Sequence, residues 1–165
     1  MERRENKDRV WCKQNDNGLL AVLFDGISSA EDANKGIDTA TEKLERLFEE
    51  LTSSKLSLSD LMYQVNEALA SSELETPFTT YNACYIPKDG KHVVLSNMGD
   101  SRTYEVTPQY LKQLSEDDNL VHSKNVVTKY LGMLNLSREQ VTEASMELGT
   151  ARILLCSDGF YSVLE

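Results

Sequence analysis

Residues Leu19 to Gly26 read LLAVLFDG, six apolar residues in a row closed by an acid and a glycine. A run of that length, rich in aliphatic side chains, predicts a strand buried on both faces. Asp25 then falls where the strand leaves the sheet, beside a glycine free to take backbone angles other residues resist. A carboxylate at a buried strand end, next to a glycine carbonyl, is a good ligand pair for a hard cation. The arrangement returns at Arg152 to Gly159, RILLCSDG. One Asp-Gly pair is ordinary turn chemistry. Two of them, each closing a continuous apolar run, point beyond a turn.

The chain around these stretches has 165 residues, a length that predicts one domain with a sizeable core. Its 40% hydrophobic and 27% charged residues are an ordinary globular balance and argue against disorder. The formal net charge of −10 disfavours nucleic acid and anionic membrane surfaces as partners, since both call for a basic face. Acids gathered around divalent cations still suit phosphate chemistry, because the ions reverse the local sign. Cys12, Cys84 and Cys156 lie far apart among apolar or strand-like neighbours, and they read as free buried thiols in a reducing compartment. The only histidines, His92 and His122, have no zinc-like spacing. No apolar run approaches the ~18 residues of a membrane span. The opening MERRENKD has no apolar core for export, so a cytoplasmic location is expected.

Taken in order, Arg9 to Lys13 reads as a short strand and Asn15 to Gly18 as a hairpin turn into the central strand. Ser28, Ser29, Ala30, Glu31 and Asp32 are written like a helix start. That helix is expected to run to about Thr52 with Ile37, Ala40, Leu44, Leu47 and Leu51 on one face. A second helix places Leu58, Leu61, Met62, Val65 and Leu69 on its apolar stripe. From Pro77 the pattern turns extended: 78–86, 91–97, 102–106 and 110–114 predict a four-strand antiparallel meander. A polar segment, 115–124, precedes 126–131. A helical turn is expected near 137–141, strands at 144–148 and 153–156, and a helix opening at Phe160. Two helices against mostly antiparallel strands make an α+β layered domain.

A third acidic turn, Ser96 to Arg102 (SNMGDSR), makes the pattern specific. With the two Asp-Gly strand ends it resembles the metal-dependent protein phosphatase family, the type 2C serine/threonine phosphatases. Arg3, Asn6 and Asp8 match the family's opening Arg-x-x-Asn-x-Asp pattern, and Asp25-Gly26 its first Asp-Gly motif. Thr79 to Ala83 falls at its Gly-Thr-Thr-type strand, Leu114 to Val121 resembles its Leu-Thr-x-Asp-His-Ser segment, and Val126 to Gly132 its Leu-Thr-x-x-Leu-Gly segment. Ile153 to Gly159 matches the second Asp-Gly motif nearly letter for letter.

The resemblance implies a four-layer α-β-β-α sandwich of two antiparallel sheets flanked by helices, a single domain over residues 1–165. It implies two or three Mn²⁺ or Mg²⁺ ions, and a metal-activated water that attacks phosphoserine or phosphothreonine directly. In that scheme Asp25 bridges two ions, the Gly26 carbonyl and Asp158 are further ligands, and Asp100 helps hold a third. Asp8 orients metal-bound water and Arg3 clamps phosphate oxygens, where a planar bidentate donor suits best. Partners follow as phosphoproteins, a serine/threonine kinase or its targets.

The sequence departs from the family in four places. Lys7 stands where Glu or Gln is usual, putting a positive charge beside the proposed metals. Ser28 and Ser29 replace glycines, and Ser162 replaces a further acid. The family's closing Asp-Asn motif and its final strand are absent from these residues. His122 reads as a surface residue, since Asp118 occupies the family's histidine position. The leading expectation is a metal-dependent protein serine/threonine phosphatase. Its alternatives are a pseudophosphatase that binds phosphoproteins without turnover and an unrelated α+β structural domain.

Overall fold

The computed structural model describes residues 5–163. Arg3, expected at the phosphate, lies outside them. The chain opens with a hairpin of β1 (Asp8–Asn15) and β2 (Gly18–Gly26), continues through α1 (Ala33–Thr52) and α2 (Leu58–Ala70), and returns as β3 (Thr79–Pro87) and β4 (His92–Met98). β5 (Arg102–Val106) and β6 (Leu111–Gln113) form a further hairpin, and β7 (Asn119–Leu120) with β8 (Ser123–Val127) another. A 3₁₀ turn (Arg138–Gln140), β9 (Ala144–Glu147), β10 (Arg152–Cys156) and α3 (Asp158–Tyr161) complete it.

The strands sort into a five-stranded sheet, β1-β2-β3-β4-β9, a three-stranded sheet, β10-β5-β6, and the small β7-β8 ribbon, with every pairing antiparallel. The expected four-strand meander is therefore split, because its two halves belong to different sheets. Gly99 makes the turn between them at φ +108, where a Cβ would sit 2.4 Å from the Thr80 side chain. No other residue type fits there without displacing β3.

α1 and α2 cover the outer face of the five-stranded sheet. Ile37, Leu44 and Phe48 of α1, with Leu61, Met62 and Val65 of α2, meet Leu20, Val22, Phe24, Tyr81 and Met98 in one core. Trp11 meets Phe48 edge-on at 6.2 Å, and Lys13 pairs with Glu45 at 2.6 Å, so the edge strand is tied to α1. α1 begins at Ala33, later than its serines suggest. Asp32 caps no helix N–H; its carboxylate accepts instead from the amides of Glu75 and Thr76. α2 is capped as written, with Ser57 accepting from the Asp60 amide.

The inner face of the large sheet meets the small one through a polar layer. Asn82 Nδ2 donates to Thr103 Oγ1 at 2.8 Å, and Thr80 and Ser101 hydroxyls lie 3.2 Å apart. Three strands facing five leave the inner side of β1 and part of β2 uncovered: Val10 is 69% exposed and Ala21 only half-buried. β2 is thus fully buried on one face alone. For the same reason Cys12 is exposed, while Cys84 and Cys156 are buried; all three thiols are free. β10, expected as a buried strand, is an edge strand with only Cys156 buried. Among the described residues no helix is long and apolar enough to cross a membrane.

Gly36 lies where α1 crosses Pro77, and a Cβ there would fall 2.5 Å from the Pro77 carbonyl oxygen. Alanine is the better helix former by about 1 kcal/mol, but a backbone clash of this kind costs ~1–3 kcal/mol. Gly36→Ala is therefore expected to lower stability in urea unfolding, the reverse of what helix propensity alone dictates.

Candidate active site

The first sheet brings two acids to one rim. In the β1–β2 register Asp8 stands opposite Asp25, at the end of each strand. Gly26 closes β2, its amide bonded to the Lys7 carbonyl at 3.0 Å, and a Cβ on it would strike Lys7 and Ala33. The second sheet brings the others: Asp100 precedes β5, and Asp158 follows β10 at the head of α3. A cavity of about 570 Å³ opens between the sheets, lined by Asp25, Gly26, Thr80, Asp100, Arg102, Asp117, Asn119 and Asp158. A second, of about 660 Å³, lies on the other flank of Asp25 against Lys7, Asp8 and Ser28.

Charge dominates this rim. Burial, the neighbouring charges of Asp8 and Asp158, a hydrogen bond with Asp8, and the charge of Asp100 together push the Asp25 carboxyl up to about 8. Burial first, then the charge of Asp158, raises Asp100 as well. The cation that the sequence places nearest is turned aside: the Lys7 ammonium donates to the carbonyls of Ser28 and Ala30, at 3.0 and 2.8 Å. It holds the loop after Gly26.

Arg102 Nη2 lies 2.9 Å from Asp117, and its guanidinium stacks 3.9 Å from the Tyr161 ring centroid. The Tyr161 hydroxyl in turn donates to the Asp100 carbonyl at 2.7 Å. This chain of contacts fixes the turn that carries Asp100 against α3. Asp118 closes the same turn from the other side, its carboxylate accepting from the Gly99 amide at 3.0 Å and pairing with Lys129 at 3.2 Å. His122 is exposed.

The donor set suits a hard divalent cation. It is all oxygen, it gathers several acids on one cavity, and Asn119 Oδ1, on the cavity wall, is buried without a partner among the described residues. Among the described residues no group of three Asp, Glu, His or Cys side chains is placed so that it could hold a metal ion, so part of any coordination shell would fall to backbone oxygen and water. That division is usual for Mg²⁺, which keeps several of its waters.

Tyr161, Asp117, Asn119 and Ser157 belong to this rim although their side chains carry no such signal in the sequence. Each reads as ordinary helix, turn or cap chemistry until the two sheets close.

No family model matches the chain. The serine/threonine phosphatase stp of Listeria welshimeri is 26% identical to it over a 195-residue alignment that takes in 98% of this chain and 75% of the relative. The alignment is longer than the chain, so that relative carries internal segments lacking here. The crystal structure of the Mycobacterium tuberculosis serine/threonine phosphatase PstP superposes with a TM-score of 0.76 at 23% identity, covering 96% of this chain and 74% of that one. The PstP catalytic domain in complex with two manganese ions superposes with a TM-score of 0.66 at 23% identity, over 96% and 74% of the respective chains. Fold, sequence relatives and the order of acidic turns agree: the chain has the fold of the metal-dependent, type 2C-like protein phosphatases and is similar in sequence to bacterial serine/threonine phosphatases over nearly its whole length.

Proposed function

We propose that this chain is a metal-dependent protein serine/threonine phosphatase, hydrolysing phosphoserine and phosphothreonine with Mn²⁺ or Mg²⁺. The observation that carries the reading is the convergence of Asp8, Asp25, Asp100 and Asp158, from two sheets, on one rim where their charges act on Asp25. The names of the relatives, all serine/threonine phosphatases, support the substrate class.

Asp25, the Gly26 carbonyl and Asp158 are assigned to two ions, and Asp100 to a third. Bound there, divalent ions supply an ionised water and neutralise phosphate charge, so no cysteine or histidine nucleophile is needed. The chain's own residues hold and shape that site. Asp8, opposite Asp25 in the strand register, is assigned to orienting the water that bound ions would hold. Arg3 is assigned to the phosphate oxygens. Arg102, held by Asp117 and Tyr161, keeps the Asp100 turn in place. The partner is a phosphoprotein, a kinase or its target, in a cytoplasmic setting.

An active enzyme releases phosphate from p-nitrophenyl phosphate or a phosphothreonine peptide only with Mn²⁺ or Mg²⁺ present. Asp25→Asn and Asp158→Asn are each expected to lower kcat at least 100-fold, of the order seen when metal chemistry is lost. Phosphopeptide binding without turnover at saturating metal would replace this reading with a binding role.

The electrostatics make a separate prediction for protein held in EDTA. The Asp25 carboxyl ionises near the model-peptide value of 3.8 when unfolded and near 8 when folded. Its contribution to stability is complete below about pH 4 and is lost as pH rises toward 8, by at most about 1.4 kcal/mol per pH unit. Asp25→Asn, which cannot ionise, is expected to be more stable than the parent at pH 8 and to lose less between pH 5 and pH 8 in urea unfolding. Mn²⁺ is expected to stabilise the parent at pH 8 and to leave the variant nearly unchanged.

A further inference from the structure

Ser157 stands at the N-terminus of α3, where a serine ordinarily accepts from the amides of the first helical turn. Here it makes no such bond. Its hydroxyl donates instead to Asp8 Oδ2 at 2.9 Å, across 149 positions of sequence and from one sheet to the other. Ser157 is itself only 9% exposed, so this direction is set by packing.

The consequence falls on Asp8. That residue is exposed, on an edge strand, and stands opposite Asp25 in the strand register, where the two repel as like charges. An exposed carboxylate beside another acid gains by turning to water. The Ser157 hydroxyl occupies one Asp8 oxygen and holds the carboxyl inward, toward Asp25. Since Ser157 directly precedes Asp158, the same bond also sets the spacing between the acids of the first sheet and Asp158.

We propose that Ser157 is a positioning residue that acts through Asp8, keeping the Asp8 carboxyl at the cation site. The proposal rests on the assignment of Asp25 and Asp158 to divalent cations.

The test uses the full chain and reads Mn²⁺ affinity by calorimetry, alongside kcat and KM for p-nitrophenyl phosphate. Partners one step removed from a metal ligand typically alter affinity or activity about 10–100-fold. Acting one step further out, Ser157→Ala is expected to weaken Mn²⁺ binding and lower kcat by about 3–10-fold, with KM for the phosphate ester nearly unchanged. Ser157→Thr keeps the hydroxyl and is expected to recover both to within about twofold of the parent. In an Asp8→Asn background, Ser157→Ala is expected to add nothing further, because the group it positions is already altered. Should Ser157→Ala not fold, Ser157→Cys, similar in size and a poor donor, takes its place in the same comparison.

Parent-like Mn²⁺ affinity and kcat in Ser157→Ala would overturn the proposal while leaving the phosphatase reading intact. So would losses of equal size with Asp8 or Asn at position 8, which would make Ser157 a clip between strands only. A parent chain that binds no Mn²⁺ overturns the cation assignment and this proposal with it.

Discussion

Repulsion among acids is the constraint that the rest of this structure answers to. Asp25 is half-buried, and Asp8, Asp100 and Asp158 all act to keep it from ionising. A protein gathers such groups only where something holds them together against their charge, because each buried carboxylate otherwise neutralises or turns to solvent. The holding is done by neutral donors and backbone, with Arg102 fixing the turn that carries Asp100. Tyr161 bonds the Asp100 carbonyl, Ser157 bonds Asp8, and Thr80 bonds the Asp25 carbonyl at 3.3 Å. Lys7, a basic residue next to Asp8 in the opening motif, is engaged by loop carbonyls. The result is a rim on which Asp25, Asp100 and Asp158 face one cavity.

Holding the rim in place requires that the two sheets keep a fixed offset. A purely apolar interface would allow sliding, since hydrophobic contact has no direction. The layer between these sheets is instead built from Thr80, Asn82, Ser101, Thr103 and Ser115, buried and joined by directional bonds. Asn82 Oδ1 has no partner among the described residues. Elsewhere the same logic recurs: Asn66, fully buried, accepts from the Gly132 amide at 2.8 Å and donates to the Met133 carbonyl at 3.1 Å, fastening the loop after β8 to α2. Position is fixed by hydrogen bonds, and stability comes from the helix-facing core.

The two faces of the large sheet therefore differ in kind. One is sealed by α1 and α2 around Phe24, Phe48 and Tyr81, all without exposed surface. The other is covered by three strands that reach β3 and β4 but leave β1 open apart from the Ser157–Asp8 bond at its end. Val10 and Cys12 stand in water for this reason, although Cys12 reads as a buried thiol in the sequence.

The sequence by itself determined the elements and their chemistry. Apolar stripes placed α1 and α2, the Asn15–Gly18 turn placed the first hairpin, and Asp-Gly after an apolar run marked Asp25 and Asp158, because these signals are local and depend on spacing along one segment. What lies between segments was not legible. Which strands share a sheet, how far the smaller sheet extends, and whether a serine caps its helix or reaches another strand depend on contacts between residues up to 149 positions apart. Tertiary structure alone decided that the meander splits at Gly99, that β10 is an edge, and that Ser157 and Tyr161 stand at the rim. A backbone turn of one residue type and a few directional bonds settle those outcomes, and neither leaves a periodic trace in the chain.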